Sequence, residues 1–176
     1  MRTLKKLFPF LFLAGIVLIL FWKVFFLGQV FYEGDNFHLN IPNKYFLVEQ
    51  VKAGHLPLWN PYLFIGIPYF ADFNIGTLNV LNILYFIFPV PRALTLITVF
   101  DFFLIGAFQY LFLRLLKLSQ LPALLGAVIF AFAGMPFNLY GNMTYLNVVV
   151  YIPLVFSLAY LFVEKKQIKF LAYVMH

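Results

Sequence analysis

The chain has 176 residues, of which 64% are hydrophobic and only 10% are charged, and its formal net charge is +6. A soluble domain usually carries about 25% charged residues, so this composition excludes an ordinary soluble protein and indicates an integral membrane protein. The sequence has no cysteine, which excludes disulfides, thiolate chemistry and cysteine-ligated metal sites. We attribute the positive charge to residues that flank apolar segments rather than to nucleic-acid binding.

Four apolar segments predict an all-α integral membrane protein with four transmembrane helices. The predicted spans cover residues 7–27, 90–113, 122–137 and 145–163. About 20 residues of helix match the hydrocarbon thickness of a bilayer. The basic start resembles a signal peptide, but its apolar run is too long and no small-residue cleavage site follows it. We therefore interpret this segment as an uncleaved first helix.

Basic residues set the predicted orientation. Eight of the twelve lysines and arginines fall in segments that share one side of the membrane, namely Arg2, Lys5, Lys6, Arg114, Lys117, Lys165, Lys166 and Lys169. The positive-inside rule then predicts a multi-pass protein of the cell membrane with a cytoplasmic N-terminus. Residues 170–174 begin as another span would. We therefore expect residues 1–176 to be a single transmembrane module, truncated before further C-terminal helices.

A long outer loop, residues 28–89, separates the first two predicted spans. Residues 42–53 predict an amphipathic helix in the membrane interface, with Asn40 as its cap and Gly54 at its end. Its apolar positions fall on roughly one side and are Tyr45, Phe46, Val48 and Val51. Residues 78–88 form an apolar run too short to span, so we predict a second interfacial or partly inserted helix.

The carboxylates of Glu33 and Asp35 form an E-x-D pair just after the first predicted helix. Two such groups with a glycine between them can share a divalent cation such as Mg²⁺ or Mn²⁺. Alternatively, one can act as a base toward a hydroxyl while the other holds a cation. The same short pattern also occurs where two acids simply end a helix in water.

Asp101 is a second candidate, because it lies near the middle of the second predicted span. A charged group at that depth costs about 2.5–3.5 kcal/mol on insertion scales, so it is protonated, paired or facing a polar cavity. A functional role and a structural hydrogen bond to a neighbouring helix both stay open. The sequence has no phosphate-binding glycine loop and no HExxH motif, so neither a nucleotide fold nor a zinc site is supported.

Three motifs follow one another in the outer loop: Tyr32-Glu-Gly-Asp35, Gly54-His-Leu-Pro-Leu-Trp-Asn-Pro61 and Gly66-Ile-Pro68. Their order after a first helix resembles the N-terminal part of the YfhO-type bacterial membrane proteins. These proteins are a branch of the GT-C glycosyltransferase superfamily. The tryptophan-containing block followed by G-x-P is the specific part, and the resemblance covers roughly residues 7–165.

This resemblance implies a membrane enzyme that takes a sugar from a polyprenyl-phosphate carrier on the outer face, with membrane lipids as its surroundings. It implies that Asp35, beside Glu33, is the catalytic base or a metal ligand. The substrate-binding candidates are Lys44, Lys52, His55, Trp59, Asn60, Asp72 and Arg92. Two alternatives from other classes are a small transporter that uses Asp101 and a non-catalytic membrane assembly protein.

Overall fold

A computed structural model describes residues 2–139 and 141–165, with the side chains of residues 2–6, 135, 137 and 165 excepted. The described chain is all-α and forms no sheet. Its α-helices, numbered in chain order, are α1 Arg2–Leu20, α2 Trp22–Leu27, α3 Ile41–Lys52, α4 Val90–Leu115, α5 Gln120–Phe132, α6 Met135–Asn138 and α7 Met143–Lys165. A π-helix, Asn36–Asn40, precedes α3, and a 3-10 helix, Val80–Phe86, precedes α4.

The described residues divide into two compact units. The first contains those of Met1–Trp22, Val99–Asn138 and Leu146–His176, and the second contains those of Lys23–Thr98 and Leu139–Tyr145.

Two described helices are long and apolar enough to cross a membrane, Val90–Leu115 and Met143–Glu164. Helix α4 has 26 residues and is therefore about 39 Å long, which exceeds the hydrocarbon thickness of a bilayer. These helices coincide with the predicted spans 90–113 and 145–163. Pro153 lies inside α7.

The other two predicted spans are shorter or divided. Residues 7–27 are helical in two pieces, because α1 ends at Leu20 and α2 begins at Trp22. Helix α5 has 13 residues, about 20 Å, where the sequence predicted residues 122–137. Gly134 ends this run because its φ of +64° is a left-handed conformation that does not continue a helix. The predictions for Lys166, Lys169 and 170–174 fall outside the described residues.

In the first unit, α1, α4 and α5 pack around small side chains. Ala123, Ala127 and Ala131 are fully buried and, spaced by four residues, share one face of α5. Gly106 of α4 lies against Leu13, whose Cδ2 would be 3.2 Å from an added β-carbon. Small residues let helix backbones approach closely, which is how apolar helices commonly pack in membranes.

The second unit is built around α3. One apolar cluster joins α3 to the 3-10 helix and to the start of α4, and consists of Ile41, Val48, Tyr85, Val90, Ala93, Leu94, Ile97 and Met143. A second cluster joins α3 to the loop after it, and consists of Phe46, Leu47, Tyr69 and Ile75. The loop is therefore held by packing against α3 on more than one side.

Three expectations for the outer loop need correction. Asn40 does not cap α3, because it lies in the π-helix that runs directly into α3. The predicted apolar side of α3 is only half right, since Tyr45 and Val51 are exposed while Lys44 is buried. Residues 78–88 form only the short 3-10 helix, which Asn79 caps by accepting a hydrogen bond from the N–H of Leu81 at 2.9 Å.

Candidate functional site

The second unit contains a cavity of about 290 Å³ that has both polar and apolar walls. Its polar lining consists of Asp35, Asn40, Asn43, Asp72, Asn74, Asn142 and Thr144. Its apolar and aromatic lining consists of Leu39, Leu63, Phe64, Ile67, Ile75 and Tyr145. No lysine, arginine or histidine is among these described lining residues, so the cavity carries two carboxylates without a compensating cation.

Asp35 stands at the start of the π-helix and faces a segment more than a hundred residues away in sequence. The side-chain amide of Asn142 donates to Oδ2 of Asp35. Asp35 is exposed and lines the cavity, so its carboxyl group is accessible to a ligand there. A carboxylate held in this way can accept a hydrogen bond, or a proton, from a bound hydroxyl group.

Asp72 supplies the second carboxylate from the loop after α3. Its Oδ1 accepts a hydrogen bond from the N–H of Asn74 at 2.9 Å, and its own N–H donates to the carbonyl of Tyr69 at 3.4 Å. This side-chain turn is typical of aspartate in loops and fixes the direction of the side chain. The structure thus brings Asp35 and Asp72, two of the predicted site residues, to the same cavity.

Asparagine side chains frame the space between these carboxylates. Asn43 is buried in α3, lines the cavity and accepts a hydrogen bond through Oδ1 from the side chain of Asn60 at 3.5 Å. The hydroxyl of Tyr69 donates to the carbonyl of Asn43. Burial raises the pKa of Tyr69, so this hydroxyl stays protonated and remains a donor. The frame offers both donors and acceptors, which suits a ligand that carries hydroxyl groups.

Residues 59–67 form a loop, which we call the clasp, that contributes to one wall of the cavity. Asn60 and Ile67 exchange two backbone hydrogen bonds of 2.9 Å, and the Asn60 side chain accepts from the N–H of Tyr62. Gly66 lies flat against Trp59, where an added β-carbon would be 2.5 Å from the indole ring. Trp59 and Asn60 therefore act locally to hold the clasp, and neither lines the cavity. Phe64 lines it from the tip of the clasp.

Two of the predicted substrate-binding cations, Lys44 and Arg92, are placed elsewhere. The ammonium of Lys44 is buried and donates to the carbonyl of Ile75 at 2.6 Å and to Oδ1 of Asn82 at 3.0 Å. The guanidinium of Arg92 donates to backbone carbonyls of Val24 and Gln29. Both groups thus join chain segments of the second unit and are not among the residues that line the cavity.

Three other predicted residues also lie outside the cavity lining. Lys52 ends α3 and His55 follows it, and both are exposed. Glu33 is exposed, and its carbonyl accepts from the N–H of Asn36 at 3.2 Å. Among the described residues, no group of three or more His, Cys, Asp or Glu side chains is placed to hold a metal ion. The predicted Glu33–Asp35 metal pair therefore lacks a third such ligand in this part of the chain.

Asp101 belongs to the first unit. It is 1% exposed in the middle of α4, and its Oδ2 has no hydrogen-bond partner in the part of the chain that the structure describes. This placement agrees with the expectation of a carboxyl group inside an apolar helix. An unpaired polar atom in such a position usually marks strain, a function or an unseen partner.

Sequence reasoning missed Asn36, Asn43, Asn74, Asn142 and Thr144. A signal was present for Asn36, Asn43 and Asn74, because seven of the ten asparagines fall within residues 36–82. This signal does not extend to Asn142 and Thr144. No protein-family model, curated protein or solved structure matches the chain. The resemblance to the YfhO-type proteins therefore stays a prediction.

Proposed function

We propose that the chain is a multi-pass membrane protein of the GT-C type, or its N-terminal module, which transfers a sugar from a polyprenyl-phosphate donor to an acceptor hydroxyl. The proposed orientation has a cytoplasmic N-terminus, four spans and the second unit at the outer face. The observation that carries this proposal is the cavity, which is lined by Asp35, Asp72 and several asparagine side chains. Within it, Asn142 donates a hydrogen bond to Asp35.

The arrangement of the cavity supports separate roles for a catalytic base and for groups that bind the substrate's hydroxyls. A carboxylate with one oxygen fixed by a hydrogen bond and the other facing a cavity is suited to accept the proton of an acceptor hydroxyl. Asp72 and the amides can hold the neighbouring hydroxyl groups, because each offers acceptors or donors at fixed positions. The described lining is acidic, so it favours a neutral, hydroxyl-bearing group over a phosphate.

The same observation changes the predicted role of the cations. Since Lys44 and Arg92 bond to groups of the second unit, we assign them to holding the loop rather than to the leaving phosphate. Lys52 is exposed and lies outside the cavity lining, so it stays the one candidate of the three for contact with an anionic headgroup. We keep the donor's phosphate outside the cavity in this proposal.

Membranes from cells that carry the complete open reading frame test the proposal. The measurement is the loss of sugar from a radiolabelled polyprenyl-phosphate donor, for wild type, Asp35→Asn and the neighbouring control Glu33→Gln, at matched protein levels. We expect wild type to consume the donor, Asp35→Asn to lose about 100-fold or more in rate, which is the lower end of the contribution of a general base, and Glu33→Gln to keep most of it. Equal consumption by wild type and Asp35→Asn contradicts the catalytic role.

A transporter that uses Asp101 is the second candidate, and the burial of its unpartnered Oδ2 among the described residues favours it. In that case Asp101→Asn abolishes proton-coupled or cation-coupled uptake into vesicles, while Asp35→Asn does not. Insensitivity of both activities to both substitutions would point instead to a non-catalytic assembly role.

A further inference from the structure

The segment before α7 returns to the start of the π-helix and is joined to it by several polar contacts. The N–H of Asn36 donates to the carbonyl of Gly141, and the N–H of Met143 donates to Oδ1 of the buried Asn36, both at 3.2 Å. The hydroxyl of Thr144 donates to the carbonyl of Asn74 at 2.8 Å. Residues 141–144 are therefore fixed against the element that carries Asp35.

Gly34 allows this close approach, whereas a β-carbon at Gly141 would make only an ordinary contact. Gly34 has a φ of +58°, and a β-carbon there would lie 3.2 Å from the carbonyl oxygen of Gly141. A β-carbon on Gly141 would in turn lie 3.9 Å from the carbonyl oxygen of Glu33. The glycine of the E-x-D motif thus brings the next residue, Asp35, within reach of Asn142.

The side chain of Asn142 has a direction set by its own helix. It immediately precedes α7, and its Oδ1 accepts from the N–H of Tyr145 at 3.4 Å, which is the geometry of an N-cap residue. With the amide oxygen directed toward the helix, the amide nitrogen points away from it and donates to Oδ2 of Asp35. Because the Asn142 side chain caps α7 through its oxygen, its nitrogen and not its oxygen faces the Asp35 carboxylate.

We infer that Asn142 is a positioning residue that holds the Asp35 carboxylate with one oxygen facing the cavity. This inference rests on the proposed function, since it concerns the orientation of the base. Asn142 fixes the carboxylate through a hydrogen bond whose own orientation is set by the start of α7. Loss of this bond lets the carboxylate rotate, so that the bound hydroxyl no longer meets an oriented acceptor.

The substitution Asn142→Asp separates positioning from capping. Aspartate caps helices as well as asparagine does, so the start of α7 is preserved. The donor, however, is replaced by an acceptor that repels Asp35. The reversed pair, Asp35→Asn with Asn142→Asp, lets the amide introduced by the first substitution donate to the new carboxylate. The contact is then restored, but the carboxylate stands at position 142 instead of position 35, in a different place on the cavity wall. Asn138→Asp, an exposed site outside the cavity, is the control for added charge.

Full-length protein in membranes is tested for two properties, thermal melting and consumption of the radiolabelled polyprenyl-phosphate donor. We expect Asn142→Asp to lower the melting temperature by several degrees and the reversed pair to recover most of that loss. We expect Asn142→Asp to lower kcat at least tenfold while the KM for the donor changes less than twofold, and the reversed pair to stay inactive. Asn138→Asp should match wild type in both properties.

The outcomes separate the two proposals. If wild type consumes the donor and Asn142→Asp does so at the same kcat, the positioning role is wrong while the proposed function stands. The same holds if the reversed pair recovers no melting temperature, because the contact is then not formed. If wild type does not consume the donor, the proposed function fails, and the catalytic meaning of the Asp35–Asn142 contact fails with it.

Discussion

A buried lysine that donates only to neutral oxygens among the described residues makes the stability of this protein depend on pH. The Lys44 ammonium is 5% exposed, donates to the carbonyl of Ile75 and to Asn82, and lies 5.4 Å from the ring centre of Tyr85. Burial lowers the pKa of Lys44 from 10.5 to about 8. Two neutral oxygens and an aromatic face thus compensate only part of the hydration that the charge loses.

The sign of the effect follows from proton binding. Between pH 8 and 10.5 the unfolded chain holds the Lys44 proton while the folded chain releases it, so the stability of the fold rises with pH in this window. The full difference in pKa corresponds to about 3 kcal/mol, of which about 1 kcal/mol develops between pH 7 and pH 9. For a chain of this length the melting temperature should rise by about 3 °C over that interval.

Thermal melting in detergent at pH 7, 8 and 9 measures this rise for wild type, Lys44→Met and the exposed control Lys52→Met. Comparison between variants removes the contribution of other titrating groups. We expect Lys52→Met to keep the wild-type slope and Lys44→Met to lose it. Equal slopes in wild type and Lys44→Met would refute the reasoning, because the buried amine would then not be the group that titrates.

Two further predictions concern the clasp and the buried acid of α4. Gly66→Ala should destabilise the protein by about 3 kcal/mol, because it adds left-handed strain and a clash with Trp59, whereas Gly54→Ala, which also has a positive φ but open space around it, should cost about 1 kcal/mol. Chemical denaturation of both variants checks the difference, and equal losses would mean that the Trp59 contact is absent. Asp101→Leu should raise the melting temperature by a few degrees, since it removes a buried carboxyl oxygen that has no hydrogen-bond partner among the described residues. A fall in melting temperature would show that this oxygen has a stabilising partner.

The helices that local sequence determines were predicted well. The apolar runs that became α4 and α7 are long, and α3 begins within one residue of its predicted start because Pro42 is suited to a first helical turn. The third span was predicted too long because apolar character continues past Phe132, whereas Gly134 ends the helix. Hydrophobicity alone does not reveal where a backbone turns.

The candidate site could be predicted only in part. Asp35 and Asp72 were candidates from the sequence and do line one cavity, but Asn142, the hydrogen-bond partner of Asp35, lies 107 residues from it, and no local pattern predicts that contact. The burial of Lys44 was not predicted from the sequence, because lysine is normally exposed. Its burial depends on a carbonyl and an amide from residues 31 and 38 positions further along the chain.

Asp35, which is exposed and lines the cavity, and Asp101, which is buried in α4, differ in the ligands that can reach them. This difference favours the cavity over α4 as the place of bond formation in the proposed function. Asp35 accepts a hydrogen bond at one oxygen and lines a cavity of about 290 Å³, so a reacting atom can approach this residue. Asp101 is 1% exposed inside a helix, and a proton or small cation is the only ligand that fits such burial without rearrangement. Under the proposed function, sugar transfer needs space for an acceptor beside the base, and Asp35 lines such a space whereas Asp101 does not.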